Sequence, residues 1–564
     1  MKYKNLFTPV TIGSVTIKNR FAMAPMGPLG LADAQGGFNQ RGIDYYTERA
    51  KGGTGLIITG VTFSDCKVET QSMPNCPNST FNPIHFIRTG REMTERVHAY
   101  GSKIFLMMSA GFGRVTIPTN LGEFPPVAPS AIPHRWLDKI CRPLTVEEIH
   151  SIVKSFGDGA YNAMRAGFDG VEIHAVHEGY LLDQFAISMF NQRTDEYGGS
   201  LENRLRFARE VVEEIKSRCG KDFPVALRFS VKSMIKDWRE GALPGEGFEE
   251  KGRDVEEGLA AARLLVEYGY DALDTDVGTY DAWWWNHPPM YQKKGLYRPY
   301  CRMVKEAVDV PVLCAGRMDN PDMALEALEK GECDIISLGG NLIPGGVPDF
   351  KEDDIALADW YVQTLKDLRV PVYLNHEVTK DEILAGDYDA VILATGSVPK
   401  RFSLGDDARV YTASQVLLKE KDCGDSAVIV GGGLVGCETA LWLRQQGKKV
   451  TIVEALDKIL AVNGPLCHAN KDMLERLVPY RGIQVVAGAR VKEYRNGILT
   501  ADTADGEKSI PCDSVILAVG YREEDSLYRQ IEFDVPELYL LGDAKKVSNI
   551  MYGIWDAFEV ANHI

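Results

Sequence analysis

Eight short apolar runs punctuate the first 340 residues: FAMAPM (21–26), GLIITG (55–60), KIFLMMS (103–109), GVEIH (170–174), VALRFS (225–230), ALDTD (272–276), VPVLCAG (310–316) and IISLG (335–339). Each ends in a polar or glycine-rich tip, and the spacing between runs leaves room for a helix. Strands apolar on both faces are covered on both faces, and their connections cross back over the sheet with one hand. Eight such units predict a closed (β/α)₈ barrel rather than an open doubly wound sheet, with the chemistry at the C-terminal tips of the strands.

The second half changes pattern. Residues 427–436 read AVIVGGGLVG, a strand running into Gly431-x-Gly433-x-x-Gly436 and then into a helix-compatible stretch to about Gln446. A second strand, KKVTIVE, ends at Glu454. Strand, glycines, helix, strand and terminal acid form the dinucleotide fingerprint: the glycines admit a pyrophosphate to the helix N-terminus, and the acid bonds a ribose diol. No arginine follows Glu454 in EALDK, so a 2′-phosphate has no cation and NADH is favoured over NADPH. Two flanking segments, DAVILATGSVPK (389–400) and SVILAVGY (514–521) with LYLLGDA (538–544), end in Thr395-Gly396 and Gly542-Asp543.

At 564 residues the chain exceeds one core. Acidic residues number 79 against 63 basic, a formal net charge of −16 that repels nucleic acid and anionic lipid. The N-terminus lacks a long apolar stretch and no run reaches 18 apolar residues, which favours a cytoplasmic enzyme acting on a small molecule, with a homo-oligomer left open. The eleven cysteines form no C-x-x-C, so no metal site is expected from spacing.

The tip of strand four carries His174-Ala-Val-His177-Glu-Gly-Tyr180. Two histidines there can donate to one carbonyl oxygen, and a phenol beside them is a proton donor for an enolate. Arg228 on strand five offers a fixed charge for a reduced, anionic ring or, alternatively, a barrel-core ion pair. Gly316-Arg317 and Gly339, ending strands seven and eight, lie where barrels bind phosphate. The run Thr279–Trp285, TYDAWWW, either walls a pocket for a flat, aryl-bearing substrate or packs a loop.

The opening LFTPVTIGSVTIKNRFAMAPMG, the histidine pair before Tyr180, the run NQRTDEYGGSLENRLRF (191–207) and the CAGRM turn resemble the old-yellow-enzyme flavin barrels. The continuation resembles the 2,4-dienoyl-CoA reductase and 2-enoate reductase subgroup, in which a glutathione-reductase-like half follows. The resemblance implies a TIM barrel holding FMN, with Ala24, Pro25 and Met26 against the ring, Met108 where the family carries a pyrimidine-facing glutamine, Arg228 near the pyrimidine, and Gly316, Arg317 and Gly339 at the phosphate. It also implies a Rossmann-like region holding FAD, with Thr395, Gly396, Gly542 and Asp543 as its chain crossings and Asp543 on the ribityl chain, and NADH on Gly431, Gly433, Gly436 and Glu454.

One departure is large. After IISLG the family continues with a phosphate-contacting arginine, the cysteines of an iron–sulfur cluster and the FAD fingerprint, none of which is present. Residues 340–350 instead resemble the segment beyond the FAD-binding unit, so a block on the order of a hundred residues is missing at Gly339/Gly340. We expect the intact protein to contain it, since half a flavin domain leaves an uncovered sheet edge. The expected organisation is an FMN barrel over 1–339, an incomplete FAD region over 340–397 and 513–564, and an NAD(H) region over 398–512. The expected activity is NADH-dependent reduction of the C=C bond of a conjugated acid or its CoA thioester, with Tyr180, His174 and His177 catalytic. An amine or N-methyl dehydrogenase and a non-catalytic flavin redox subunit are the alternatives.

Overall fold

A computed structural model describes the chain except residues 1, 28, 65–67, 69–75, 122–124, 339–348 and 462–466. It divides into two compact units, Met1–Asn341 and Leu342–Ile564.

All eight predicted strands form in the first unit: Phe21–Met23, Leu56–Ile58, Lys103–Ser109, Gly170–His174, Val225–Ser230, Ala272–Asp276, Val312–Cys314 and Ile335–Leu338. Each pairs in parallel with its sequence neighbours, and strand eight returns to strand one through Ile336↔Phe21, which closes the barrel. Helices follow the strands on the outside, the longest being Val146–Arg165. Its start is fixed by a capping box: the Thr145 hydroxyl accepts the Glu148 N–H, and the Glu148 carboxylate accepts the Thr145 N–H. That helix buries Ile149, Ile152 and Phe156, the apolar stripe that a 3.6-residue period predicts.

The N-terminal end of the barrel is plugged. A hairpin, Val10–Ile12 with Val15–Ile17, drives Ile12 and Ile17 into a core with Ala22, Leu56, Phe105, Ala226, Ala272, Leu313 and Ile335. This leaves the opposite end for chemistry. Towards that end the interior turns polar: Glu172, His174, Arg228, Ser230, Asp274 and Asp276 are all buried. The register sets Arg228 beside His174 on one neighbour and beside Asp274 on the other.

The second unit contains a five-stranded parallel sheet ordered Val410–Thr412, Ser514–Leu517, Ser426–Val430, Lys449–Val453, Gln484–Val486. The strand at 514–517 thus pairs with the fingerprint strand, through Val428↔Val515 and Ile429↔Ile516, not with the flavin-type strands that follow it in sequence. Val391–Leu393 and Leu538–Leu540 form a separate parallel pair. Beside it the helix Ile550–Ala561 buries no residue, and Trp555 and Phe558 stand more than half exposed. A two-stranded parallel pair with bare apolar neighbours is an unfinished layer.

Candidate functional site at the barrel mouth

Strand four delivers His174 at its last position, and the chain then turns through Glu178, whose φ of 59° is rare for a residue with a side chain. The turn is fixed from both sides. The Glu178 N–H donates to Ser230 Oγ (3.3 Å), and its carbonyl accepts the Tyr280 N–H (2.9 Å). Strain held in this way is typical of functional turns.

The two histidines touch each other. His177 Nδ1 and His174 Nε2 share a hydrogen bond of 3.0 Å, while His177 Nε2 lies 2.5 Å from Asp276 and 3.3 Å from Arg228 Nε. An ionised carboxylate only accepts, so the short contact places the His177 proton on Nε2, donated to Asp276, and His177 Nδ1 accepts the His174 Nε2–H. His174 Nδ1 is then a lone-pair nitrogen, buried and with no partner among the described residues. The pair therefore presents one unpartnered ring nitrogen, not the two parallel donors that their spacing suggests. Burial lowers both histidines, His177 to about 3 with Arg228 also opposing a charge, so both are neutral at physiological pH.

Arg228 pairs with Asp274 and, at 3.1 Å, with Asp276. Burial opposes its charge, but Asp274 and Asp276 outweigh that effect and keep it protonated. Three carboxyls face one guanidinium here, and burial raises Glu172 and Asp274 and pushes Asp276 up to about 6. Glu172 has no hydrogen-bond partner for either oxygen among the described residues, as suits a neutral acid. These acids were not singled out from the sequence, although Asp274 and Asp276, two apart on a buried strand opposite Arg228, were the signal for them.

Tyr180 is 7% exposed, its ring 4.2 Å from that of His174 and 4.6 Å from that of Phe112. Its hydroxyl shares a hydrogen bond with Tyr280 (2.9 Å) and another with Glu178. Burial, then Tyr280 and Glu178, raise its pKa well above that of a free phenol. Around it Phe63, Phe112, Val115 and Tyr280 form an apolar cluster, with Trp136 and Trp283 packed against it. The aromatic run divides: the Tyr280 and Trp283 rings lie 4.8 Å apart, tilted by 34°, in this wall, whereas Trp284 and Trp285 both donate their indole N–H to the Ala242 carbonyl and pack the loop. Asp281 anchors the run through the fully buried Arg114 at 2.6 Å.

The other expected positions are spread around the mouth. Ala24 is buried and Pro25 and Met26 half-buried at the tip of strand one. Met108 is on the outer face: its methyl meets Gly159 of the helix Val146–Arg165, while Phe105 and Met107, one position out of phase, face the interior core. The two-residue period of a strand thus puts Met108 away from any ring in the mouth, and Ser109 is its inward neighbour. Gly316 (φ 82°) and Arg317 (φ 58°) make a left-handed turn after strand seven, and a Cβ on Gly316 would sit 2.6 Å from the Tyr297 ring. The Arg317 guanidinium donates to the carbonyls of Met290 and Gln292. Gly339 lies outside the described residues.

In the second unit Gly431 has φ 105°, and a Cβ on Gly436 would meet the Gly431 carbonyl oxygen at 1.9 Å, so the helix Leu434–Gln445 packs directly on the turn. Gly433 is the N-cap of that helix. Glu454 accepts the Gly432 N–H at 2.5 Å and the Leu456 N–H at 2.8 Å, which holds the acid against the loop. Thr395 donates to the Glu524 carbonyl, Gly396 has φ 78° and Gly542 φ 55°. Ser397 donates to Asp543 at 3.0 Å, which brings the two crossings together. The described His, Cys, Asp and Glu side chains form one group compact enough for a metal, His174, His177 and Glu178.

Residues 5–350 match the NADH:flavin oxidoreductase / NADH oxidase family, and residues 354–555 match the pyridine nucleotide-disulphide oxidoreductases. The chain is 49% identical to a cinnamate reductase of Clostridium sporogenes, covering 100% of each, and 29% identical to an NADH oxidase of Thermoanaerobacter brockii, covering 99% of each. A 2-naphthoyl-CoA reductase structure shares the fold, with a TM-score of 0.85 at 21% identity and complete coverage of both chains. The alignment to the cinnamate reductase runs over 663 positions, 99 more than the 564 residues here, so that relative carries at least that many positions without a counterpart in this chain.

These families carry FMN in the first region, and FAD with NAD(P) in the second. The mouth fits FMN, with a buried cation at Arg228 and a left-handed Gly316-Arg317 turn at the strand tips. The Gly431 loop and Glu454 fit a nicotinamide dinucleotide. For FAD the described residues provide the two crossings, and the sequence has no second glycine fingerprint, so only part of that site is present.

Proposed function

The chain belongs to the NADH:flavin oxidoreductase / NADH oxidase family, and on that premise we propose that it reduces the C=C bond of an aryl-acrylate-type carboxylic acid or its CoA thioester, with NADH as reductant. The observation that carries this reading is the Tyr180 hydroxyl, buried in an aromatic wall and packed on a histidine whose Nδ1 has no partner among the described residues.

FMN, when bound, supplies hydride to the β-carbon of the substrate. The chain's own residues do the rest. One proton taken up at His174 Nδ1 runs along the pair to Asp276 and reverses both tautomers, so that His174 Nδ1–H then holds the carbonyl or carboxylate oxygen and stabilises the enolate that hydride addition creates. His177 carries that proton from His174 Nε2 to Asp276 and so fixes the His174 tautomer. Tyr180 Oη–H delivers the proton to the α-carbon: one O–H bond breaks, one C–H bond forms, and a tyrosinate remains. Tyr280, Trp283 and Phe112 receive the aryl group and exclude water. No step is derived through FAD or an iron–sulfur cluster.

The test is anaerobic NADH oxidation with a panel: cinnamate, its saturated analogue, a non-aromatic enoate and a secondary amine. Oxidation stimulated by cinnamate, and not by the saturated acid or the amine, supports the reading. Stimulation by the amine alone overturns it in favour of a dehydrogenase.

A further inference from the structure

The reading above gives the aryl group to Tyr280, Trp283 and Phe112 and makes no use of Trp136, which reaches the same wall from the connection after strand three. Its ring lies 5.7 Å from that of Tyr280 at 86° and 6.3 Å from that of Trp283 at 64°, edge-on to both. It packs against the cluster that holds Tyr180 and Phe112, yet it is only half-buried, so part of the indole stays open at the rim. Aromatic rings attract edge to face because the positive rim of one meets the negative face of the other.

The backbone around Trp136 is held from three loops. Its own N–H and that of Leu137 donate to Nδ1 of the buried His134, at 3.3 and 3.1 Å. The Arg135 N–H donates to the Arg114 carbonyl (2.9 Å), and the Arg135 Nε–H to the Tyr280 carbonyl (3.1 Å). Arg239, from the loop after strand five, donates Nη2–H to the carbonyls of His134 and Leu137, each at 2.8 Å. All three arginines converge on Asp281, which is 1% exposed: the Arg114 guanidinium at 2.6 Å, the Arg239 backbone N–H at 2.9 Å and the Arg135 guanidinium at 3.7 Å. One buried carboxylate thus ties the loops after strands three, five and six and sets Trp136 against Tyr280 and Trp283. The Trp283 ring is fixed in turn by its indole N–H on His287 Nδ1 (2.9 Å), an atom 3.4 Å from Glu178 Oε1.

We propose that Trp136 is a specificity-determining residue, selecting an aryl-bearing conjugated acid over a linear one; this rests on the reading above. A phenyl ring at this wall gains a second aromatic partner in Trp136, whereas an alkyl chain has no π face to meet the indole edge. One such ring contact is worth about three- to tenfold in affinity. Trp136 acts on the ring of the substrate and not on its double bond, so its effect falls on KM more than on kcat.

The experiment compares the parent holoenzyme with Trp136→Leu and Trp136→Phe. Anaerobic NADH oxidation is measured with cinnamate and with 2-butenoate, and binding of 3-phenylpropanoate is titrated by the flavin spectrum. In Trp136→Leu the ratio of kcat/KM for cinnamate to that for 2-butenoate falls by about three- to tenfold, through KM, and the Kd of 3-phenylpropanoate rises by a similar factor. Trp136→Phe, which keeps a ring at the position, shows a smaller shift of the same sign, so the test does not depend on the Leu variant folding. An unchanged ratio, an equal loss on both acids, or a parent that uses 2-butenoate as well as cinnamate overturns the assignment. A parent that oxidises NADH with neither acid overturns the function instead. The titration then stands alone: a Kd that rises in the Leu variant and less in the Phe variant supports Trp136 as the aryl-selecting residue, and a Kd that does not move overturns it.

Discussion

Replacing Tyr180 by Phe isolates the proton that completes reduction. The ring keeps its packing on His174 at 4.2 Å, Phe112 at 4.6 Å and Tyr280 at 5.3 Å, so the wall of the site persists. What is lost is one hydroxyl, bonded to Tyr280 and Glu178. Stranding those two buried partners costs about 1–3 kcal/mol of folding stability. Loss of a general acid slows its step by about 10²–10⁴-fold, or roughly 3–5 kcal/mol of barrier. The two effects separate by assay: chemical denaturation reads the first, and anaerobic stopped-flow reoxidation of the reduced flavin by cinnamate reads the second. NADH should still reduce the variant at the parental rate, since no part of that step uses Tyr180. Parental reoxidation by the Phe variant would falsify the assignment and move the proton to another group.

Glu454 should enforce NADH over NADPH, because a carboxylate held on the glycine loop bonds a diol and repels a phosphate; comparing kcat/KM for the two nucleotides tests this, and equal or better use of NADPH contradicts it. Gly436→Ala forces a Cβ against a backbone oxygen 1.9 Å away and should weaken NADH binding by about tenfold or more while the barrel keeps its FMN; unchanged NADH titration would show that the loop is not the nucleotide site. His134 accepts the backbone N–H groups of Trp136 and Leu137 on Nδ1 and donates from Nε2 to Thr116, and burial with the nearby Arg114 and Arg239 lowers its pKa to about 4. The unfolded chain then binds the extra proton between pH 6.5 and 4, so the stability from this group is complete above pH 6.5 and falls by roughly 3 kcal/mol as the pH drops to 4. His134→Gln should flatten the slope of denaturation free energy against pH in that window, and an unchanged slope would assign the effect elsewhere.

The barrel was legible because its strands are buried on both faces, which makes most of each run apolar, as in the IFLMM of KIFLMMS or the VAL of VALRFS, and the glycine fingerprint because sterics leave no other residue for Gly431 or Gly436. Facing was less legible. Met108 sits among apolar residues of both faces, and Ser109 at the tip with the core partners of Phe105 and Met107 settles the phase. The histidines were found from their spacing, but their mutual hydrogen bond depends on Asp276 and Arg228, which arrive from two other strands. Glu178 and His287 are 109 positions apart and meet because strands four and six send their loops over the same mouth, a juxtaposition that no local pattern carries. The strand at 514–517 follows the three-stranded ribbon Arg490–Pro511 and pairs back with the fingerprint strand, a pairing that order along the chain does not carry.

The central claim is that the barrel mouth saturates a conjugated acid, and it can be tested without the second unit. Purified FMN-loaded protein, photoreduced in the absence of oxygen and NADH, is mixed with one equivalent of cinnamate, and the flavin spectrum and the acid products are followed together. The account predicts oxidised flavin and 3-phenylpropanoate in equal amounts. Flavin that stays reduced while cinnamate is recovered intact would contradict it.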